Sequence, residues 1–335
     1  MIRRTFLAAT TAAAALVPAH GAMADAHLDG ITVAYFLEWP MPMLAAKNSG
    51  AYDDALGIPV EWVSFETGTA MSAAMASGDV QIAVSQGVPP FVVAASAGQN
   101  LQVIDIAVSY SENDNCVVRS DLEVTKDNAG EALAGKKVAV PLGTAAHYGF
   151  LRQMDHFGVD LASLDVVDMT PPDGAAALSQ GAVDFACGYG GGLTRMKESG
   201  NVLLTGAEKQ ELGILVFDVT SAPAEFVAEN PELAAKFVKV TADANAQWAD
   251  GQPEEMLEII ADESGQDLEA ARAAIATFEF PTIDEQMSEA WLGGNAATFM
   301  KGVADVFVEA GSIGSALGSY EDAVNTGPLS DAQGM

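Results

Sequence analysis

Through the first two thirds of the chain, short runs of apolar, β-branched and aromatic residues alternate with longer stretches in which apolar positions recur every third or fourth residue. The first pattern is that of a buried strand and the second that of a helix. Strands are predicted at 31–36, 60–65 and 80–84, and helices at 41–52, 69–77 and 89–98. The pattern then restarts. A turn at 133–137 leads into a strand at 138–140, a helix at 144–157, a strand at 164–168, a helix at 173–180 and a strand at 183–186. Such alternation predicts mostly parallel sheets with helices on both faces, in two units of similar size. Two extended segments, 115–119 and 214–220, bracket the second unit. The remainder is helical in pattern: Asn230 and Pro231 open a helix over 232–248, Pro253 opens another, and 267–277 and 295–310 are amphipathic. No Pro/Ser/Gly-rich linker separates these blocks, so they read as parts of one fold.

The N-terminus changes the picture. A basic start with Arg3 and Arg4 leads into an alanine-rich apolar run over 5–18, and Ala22-Met23-Ala24 follows. That order is a secretory leader, expected to end at residue 24 and leave Asp25 first. No cysteine lies near the expected cleavage site, so no lipid anchor is expected there. The chain carries 46 acids against 15 Lys and Arg, a net charge of −31. Losing Arg3 and Arg4 with no acid takes this to about −33. So acidic a surface argues against nucleic acid and anionic membrane as partners. Cys116 and Cys187 would enter a compartment that permits disulfides, and spacing alone leaves open whether they pair or stay as two thiols.

No G-x-S-x-G elbow, P-loop, H-E-x-x-H or zinc-type C-x-x-C occurs, and no cofactor or metal is expected. Polar segments instead follow predicted strands, where α/β sheets place ligands. Glu38-Trp39-Pro40 follows the first, Thr67-Gly68-Thr69 the second and Ser85-Gln86-Gly87 the third; Gly143-Thr144 opens a helix whose next turn carries His147 and Tyr148. Free N–H groups at such helix starts hold an oxyanion without a cation, which suits a chain so poor in Lys and Arg.

Three segments carry a family resemblance: 76–82 (Ala-Ser-Gly-Asp-Val-Gln-Ile), 133–141 (Leu-Ala-Gly-Lys-Lys-Val-Ala-Val-Pro) and the turn at 181–184. They resemble the periplasmic solute-binding proteins of nitrate/sulfonate/taurine ABC importers, in order and spacing over about 31–237. Residues 144–148 and 215–219 are most similar to the taurine-binding branch. The resemblance implies an α/β, two-lobed periplasmic binding protein (type II-like), with two doubly wound lobes joined by two crossings and a helical C-terminal part. Lobe 1 would comprise 25–114 and 219–335, and lobe 2 would comprise 115–218. It implies a periplasmic monomer that takes a small zwitterionic or sulfonate ligand, delivers it to a membrane ABC permease and is no enzyme. Asp218 stands where that branch receives the ligand amine, and Tyr189 where the family usually has Trp.

An aminosulfonate needs donors for its sulfonate, a carboxylate for its ammonium and a dry wall around both. Thr69, Ser85, Gln86 and Thr144 are candidates for the first, and Asp218, with Glu38 or Asp114, for the second; His147 is a further candidate ligand contact. Tyr189 and Trp39 are candidates for the third, through packing and cation–π contact. Other ligands stay open (an alkanesulfonate, an amine zwitterion, a pyrimidine precursor), as does a pyrimidine-biosynthesis enzyme on the same fold, for which His147 is the one plausible reactive group.

Overall fold

The structure, a computed structural model, describes residues 28–335. The expected leader, 1–24, lies outside the described residues. Two mixed sheets organise the rest. The first contains β1 (Ile31–Phe36), β2 (Val60–Phe65), β3 (Ile82–Gly87), β4 (Leu101–Tyr110), β10 (Phe217–Pro223) and β11 (Phe278–Glu279), in the order β11-β4-β10-β3-β1-β2. The second contains β5 (Asp114–Arg119), β6 (Lys137–Val140), β7 (Asp165–Asp168), β8 (Phe185–Tyr189) and β9 (Gly200–Val202), in the order β7-β6-β8-β5-β9.

Only half of each sheet follows the parallel expectation. β1 runs parallel to β2 and β3, and β6 to β7 and β8, through crossover helices. β10 is antiparallel to β3 and β4, and β5 to β8 and β9. The reason is the route of the chain: β4 and β5 are three residues apart yet belong to different sheets, and β10 re-enters the first sheet after β9 leaves the second. A strand arriving from the other sheet enters from the far end and pairs in the opposite sense. β4, an apolar run with four β-branched residues, was not anticipated.

Local chemistry sets the boundaries. The helix expected over 41–52 is two, Met43–Ser49 and Ala51–Leu56, because Gly50 at φ 75° supplies a left-handed cap between them. β3 and β8 extend further than expected, so Ser85, Gln86 and Tyr189 lie within strands rather than beyond them. The C-terminal helices are not an appendage. Phe237 of Pro231–Ala249 packs on Tyr52, whose hydroxyl shares a 2.8 Å hydrogen bond with Thr241. Phe307 and Phe299 of Asn295–Glu309 lie on His147 and Tyr148 of the helix Ala145–Phe157 in the second lobe. One apolar core therefore runs through both lobes, with a smaller cluster around Ala139, Leu178 and Met196 on the other face of the second sheet.

Cys116 and Cys187 sit directly opposite each other on β5 and β8 and are joined. The bond closes a loop of 71 residues, for which chain entropy predicts a stabilisation of ~4 kcal/mol. Reduction, or replacement of both cysteines by Ala, is expected to lower the urea midpoint without changing the far-UV circular dichroism of the folded protein.

Candidate functional site

The ends of β1, β3 and β4 and the start of β10 meet where the two sheets face each other, and Asp218 lies among them. It is 2% exposed, and both its oxygens accept hydrogen bonds: Oδ1 from the Tyr110 hydroxyl at 2.7 Å and Oδ2 from Ser85 Oγ at 2.7 Å. Ser85 Oγ in turn accepts from Trp39 Nε1 at 2.9 Å. Ser85 holds φ 60°, a region that non-glycine residues seldom occupy, and this conformation accompanies the placement of its hydroxyl against the carboxylate. Burial pushes the Asp218 carboxyl up to about 7; the Tyr110 and Ser85 hydrogen bonds pull it down, and nearby Asp114 pushes it further up.

Asp218 borders a small cavity of about 20 Å³ between the lobes, room for about one water-sized group. Phe36, Trp39, Gly68, Gly87, Pro90 and Tyr110 line it from the first lobe, and Thr144, Ala145 and Tyr189 from the second. Asp218 is the one charged side chain among these lining residues. A side-chain carbon at Gly87 would lie 3.4 Å from Asp218 Oδ1, so glycine there keeps the space beside the carboxylate open. Across from it, Thr144 precedes the helix Ala145–Phe157 but does not cap it; its hydroxyl donates to the Pro141 carbonyl at 2.6 Å. The first-turn N–H groups of that helix have no intrahelical acceptor, and Ala145 brings them to the cavity.

Of the ten residues singled out from sequence, Asp218, Tyr189, Thr144 and Trp39 line the cavity. Ser85 stands one layer behind. Gln86 is fully buried and committed to the framework: Nε2 donates to the Gly68 carbonyl and Ser72 Oγ, and Oε1 accepts from Ser221. Thr69 shares a 3.0 Å hydrogen bond with Thr67 at its helix start, with its methyl group toward Gly143 of the other lobe. His147 turns away: its Nδ1 accepts from the Gly143 N–H, its ring stacks between Phe150 and Phe307, and burial pushes its pKa down to about 4. Asp114, opposite Tyr189 on β5, is buried with neither carboxylate oxygen hydrogen-bonded. Burial pushes it up to about 6, against the pull of Lys209.

Glu38 was expected to face a ligand and instead joins the lobes. Its carboxylate takes both Arg195 guanidinium nitrogens, at 2.8 and 3.0 Å. Its backbone, at φ 53°, is fixed by a 2.8 Å hydrogen bond from its N–H to the Ser264 carbonyl. Glycines make the room: a side chain at Gly191 would collide with the Glu38 carboxylate, and one at Gly190 would press on its carbonyl and on Trp39. Tyr189 adds a second tie, donating to the Glu66 carbonyl at 3.0 Å. Sequence reasoning missed Tyr110, for want of β4, and Phe36, although it ends a predicted strand where the sheet rule places ligands.

A model of the family described as "NMT1/THI5 like" matches residues 40–256. The taurine-binding periplasmic protein of Escherichia coli K12 is 29% identical over 218 residues, 65% of this chain and 66% of that one, so the match spans just under two thirds of that relative. Among solved structures, the periplasmic aliphatic sulphonate binding protein SsuA from Escherichia coli superposes with a TM-score of 0.69 at 19% identity, covering 86% of this chain and 95% of that one. The desulfurization enzyme DSZB superposes at 0.64 and 14% identity, over 91% and 99%. At such identities these superpositions speak to fold alone.

Two expectations follow from the geometry. Asp218 and Asp114 bind protons more tightly folded than unfolded, where they titrate at ~4. The folded state therefore holds the extra protons between pH 4 and 7, and their contribution to stability falls as pH rises through that window. Denaturant melts of Asp218→Asn should show a shallower fall than the unmodified protein from pH 4.5 to 7.5. Separately, Arg195→Gln removes a half-exposed ion pair worth about 1 kcal/mol; small-angle scattering of the ligand-free protein should show a larger radius of gyration, with the melting temperature nearly unchanged.

Proposed function

The chain belongs to the NMT1/THI5-like family, and we propose that it serves as the solute-binding component of an ABC importer, capturing a taurine-type aminosulfonate in the interlobe cleft. On this reading the leader sends it to the periplasm, the two lobes close on the ligand, and a membrane permease receives it. The observation that carries the reading is the buried Asp218 carboxylate, the sole charged side chain lining the cavity, combined with an uncapped helix start in the facing lobe. A carboxylate with no cation beside it favours a ligand that brings one. Uncapped N–H groups favour an oxyanion at the ligand's other end. The name of the taurine-binding relative agrees with both halves.

Binding without chemistry is supported by what borders the cavity. Among its lining residues there is no cysteine and no histidine; His147 is walled off by Phe150 and Phe307, and Cys116 and Cys187 are bonded to each other. A desulfurising or pyrimidine-forming enzyme on this fold needs a reactive group there.

The test is a thermal-shift and calorimetric titration with taurine, ethanesulfonate and nitrate. Taurine is expected to raise the melting temperature more than the two anions that lack an amine. Removing one partner of a buried charge pair costs at least ~2 kcal/mol, or roughly 30-fold in affinity. Asp218→Asn should therefore abolish the taurine shift while the ligand-free variant melts higher than the unmodified protein at pH 8. A variant that binds taurine undiminished would refute the assigned amine site.

A further inference from the structure

The walls around Asp218 say more about the cation than its charge. Four aromatic rings line the cavity: Phe36, Trp39 and Tyr110 from the first lobe and Tyr189 from the second. Trp39 and Tyr110 meet nearly edge to face, centroids 4.7 Å apart and planes at 80°, and Phe36 and Tyr189 approach across the lobes with centroids 6.0 Å apart and planes tilted by 59°. Their polar atoms are committed elsewhere: Trp39 Nε1 to Ser85, the Tyr110 hydroxyl to Asp218 and the Tyr189 hydroxyl to Glu66. These rings therefore present carbon framework, not heteroatoms, to whatever enters.

The acceptors are partly used as well, which leaves one lone pair on each Asp218 oxygen for the three N–H donors of a primary ammonium. Each Asp218 oxygen already takes a hydrogen bond, and the Gly68 carbonyl accepts from both Gln86 and Ser72. A primary ammonium brings three N–H donors, and each one buried without an acceptor is costly. A methylated ammonium carries the same charge with one donor or none. It is attracted by ring faces and by a carboxylate that need not touch it.

We infer that the ligand's cation is a tertiary or quaternary ammonium, held in a box of Phe36, Trp39, Tyr110 and Tyr189 with Asp218 as counter-ion. This rests on the aminosulfonate reading above and narrows it to N-methylated members of that class.

The test is calorimetry on the unmodified mature protein with taurine, N-methyltaurine and N,N,N-trimethyltaurine, and with ethanesulfonate as the amine-free control. The trimethylated compound is expected to bind at least tenfold more tightly than taurine. Phe36→Leu, which touches no hydrogen bond of Asp218, should shrink that preference severalfold at an unchanged fold by circular dichroism. Taurine binding as tightly as its trimethyl derivative, or more so, would overturn the inference and leave the aminosulfonate reading standing. Ethanesulfonate outbinding all three amines would overturn both. A preference for the trimethyl compound that Phe36→Leu, Trp39→Leu and Tyr189→Leu all leave intact would also overturn the box, since selectivity would then arise elsewhere.

Discussion

A carboxylate in a dry crevice is expensive, and the architecture around this cleft answers to that cost. Asp218 gains two hydrogen bonds from its own lobe, from Tyr110 and Ser85, and Trp39 steadies Ser85 from behind. These bonds offset only part of the desolvation, so the carboxyl is still pushed up to about 7. Three strands and the loop after β1 must be in register for the network to form, and Ser85 must hold a left-handed backbone for it. Protein stability alone does not call for such an arrangement; an apolar side chain at 218 would fill the place at lower cost. The unmet part of the cost is what a cationic solute would relieve.

The second lobe contributes by fit rather than by charge. Its glycines at 190 and 191 admit Glu38, whose carboxylate is neutralised by Arg195 instead of remaining available to the cavity. The disulfide ties β5 to β8 two residues from Asp114 and Tyr189, which are themselves a cross-strand pair. The wall that carries Tyr189 is thus pinned covalently as well as through the ladder.

Much of the fold was legible because its signals are local. The apolar runs at 31–36 and 60–65, the Pro-initiated helices and the restart after residue 133 all follow from periodicity and capping. What escaped was set by partners distant in sequence. β4 is buried on both faces, so its run shows no alternation to mark it as a strand, and with it went Tyr110. The antiparallel halves of the sheets depend on where the chain crosses, which no local pattern records. Within the candidate site, Asp218, Trp39, Thr144 and Tyr189 were reachable from strand ends and resemblance. Glu38 and Gln86 have the right chemistry in the right segments, but Arg195, Ser72 and Ser221 claim them, and those partners lie up to 157 residues away.

The two walls of the cavity are unequal. Asp218 with its hydrogen-bonded supports and three of the four rings belong to the first lobe, whereas Thr144, Ala145 and Tyr189 arrive from the second. With the lobes apart, the first already presents an assembled half-site, while the second offers one ring and a helix start. A solute landing on that half-site would be sorted by its positive end before its negative end is inspected. Capture would then proceed as a sequence of two readings, and the later one could reject a misfit while the door still stood ajar.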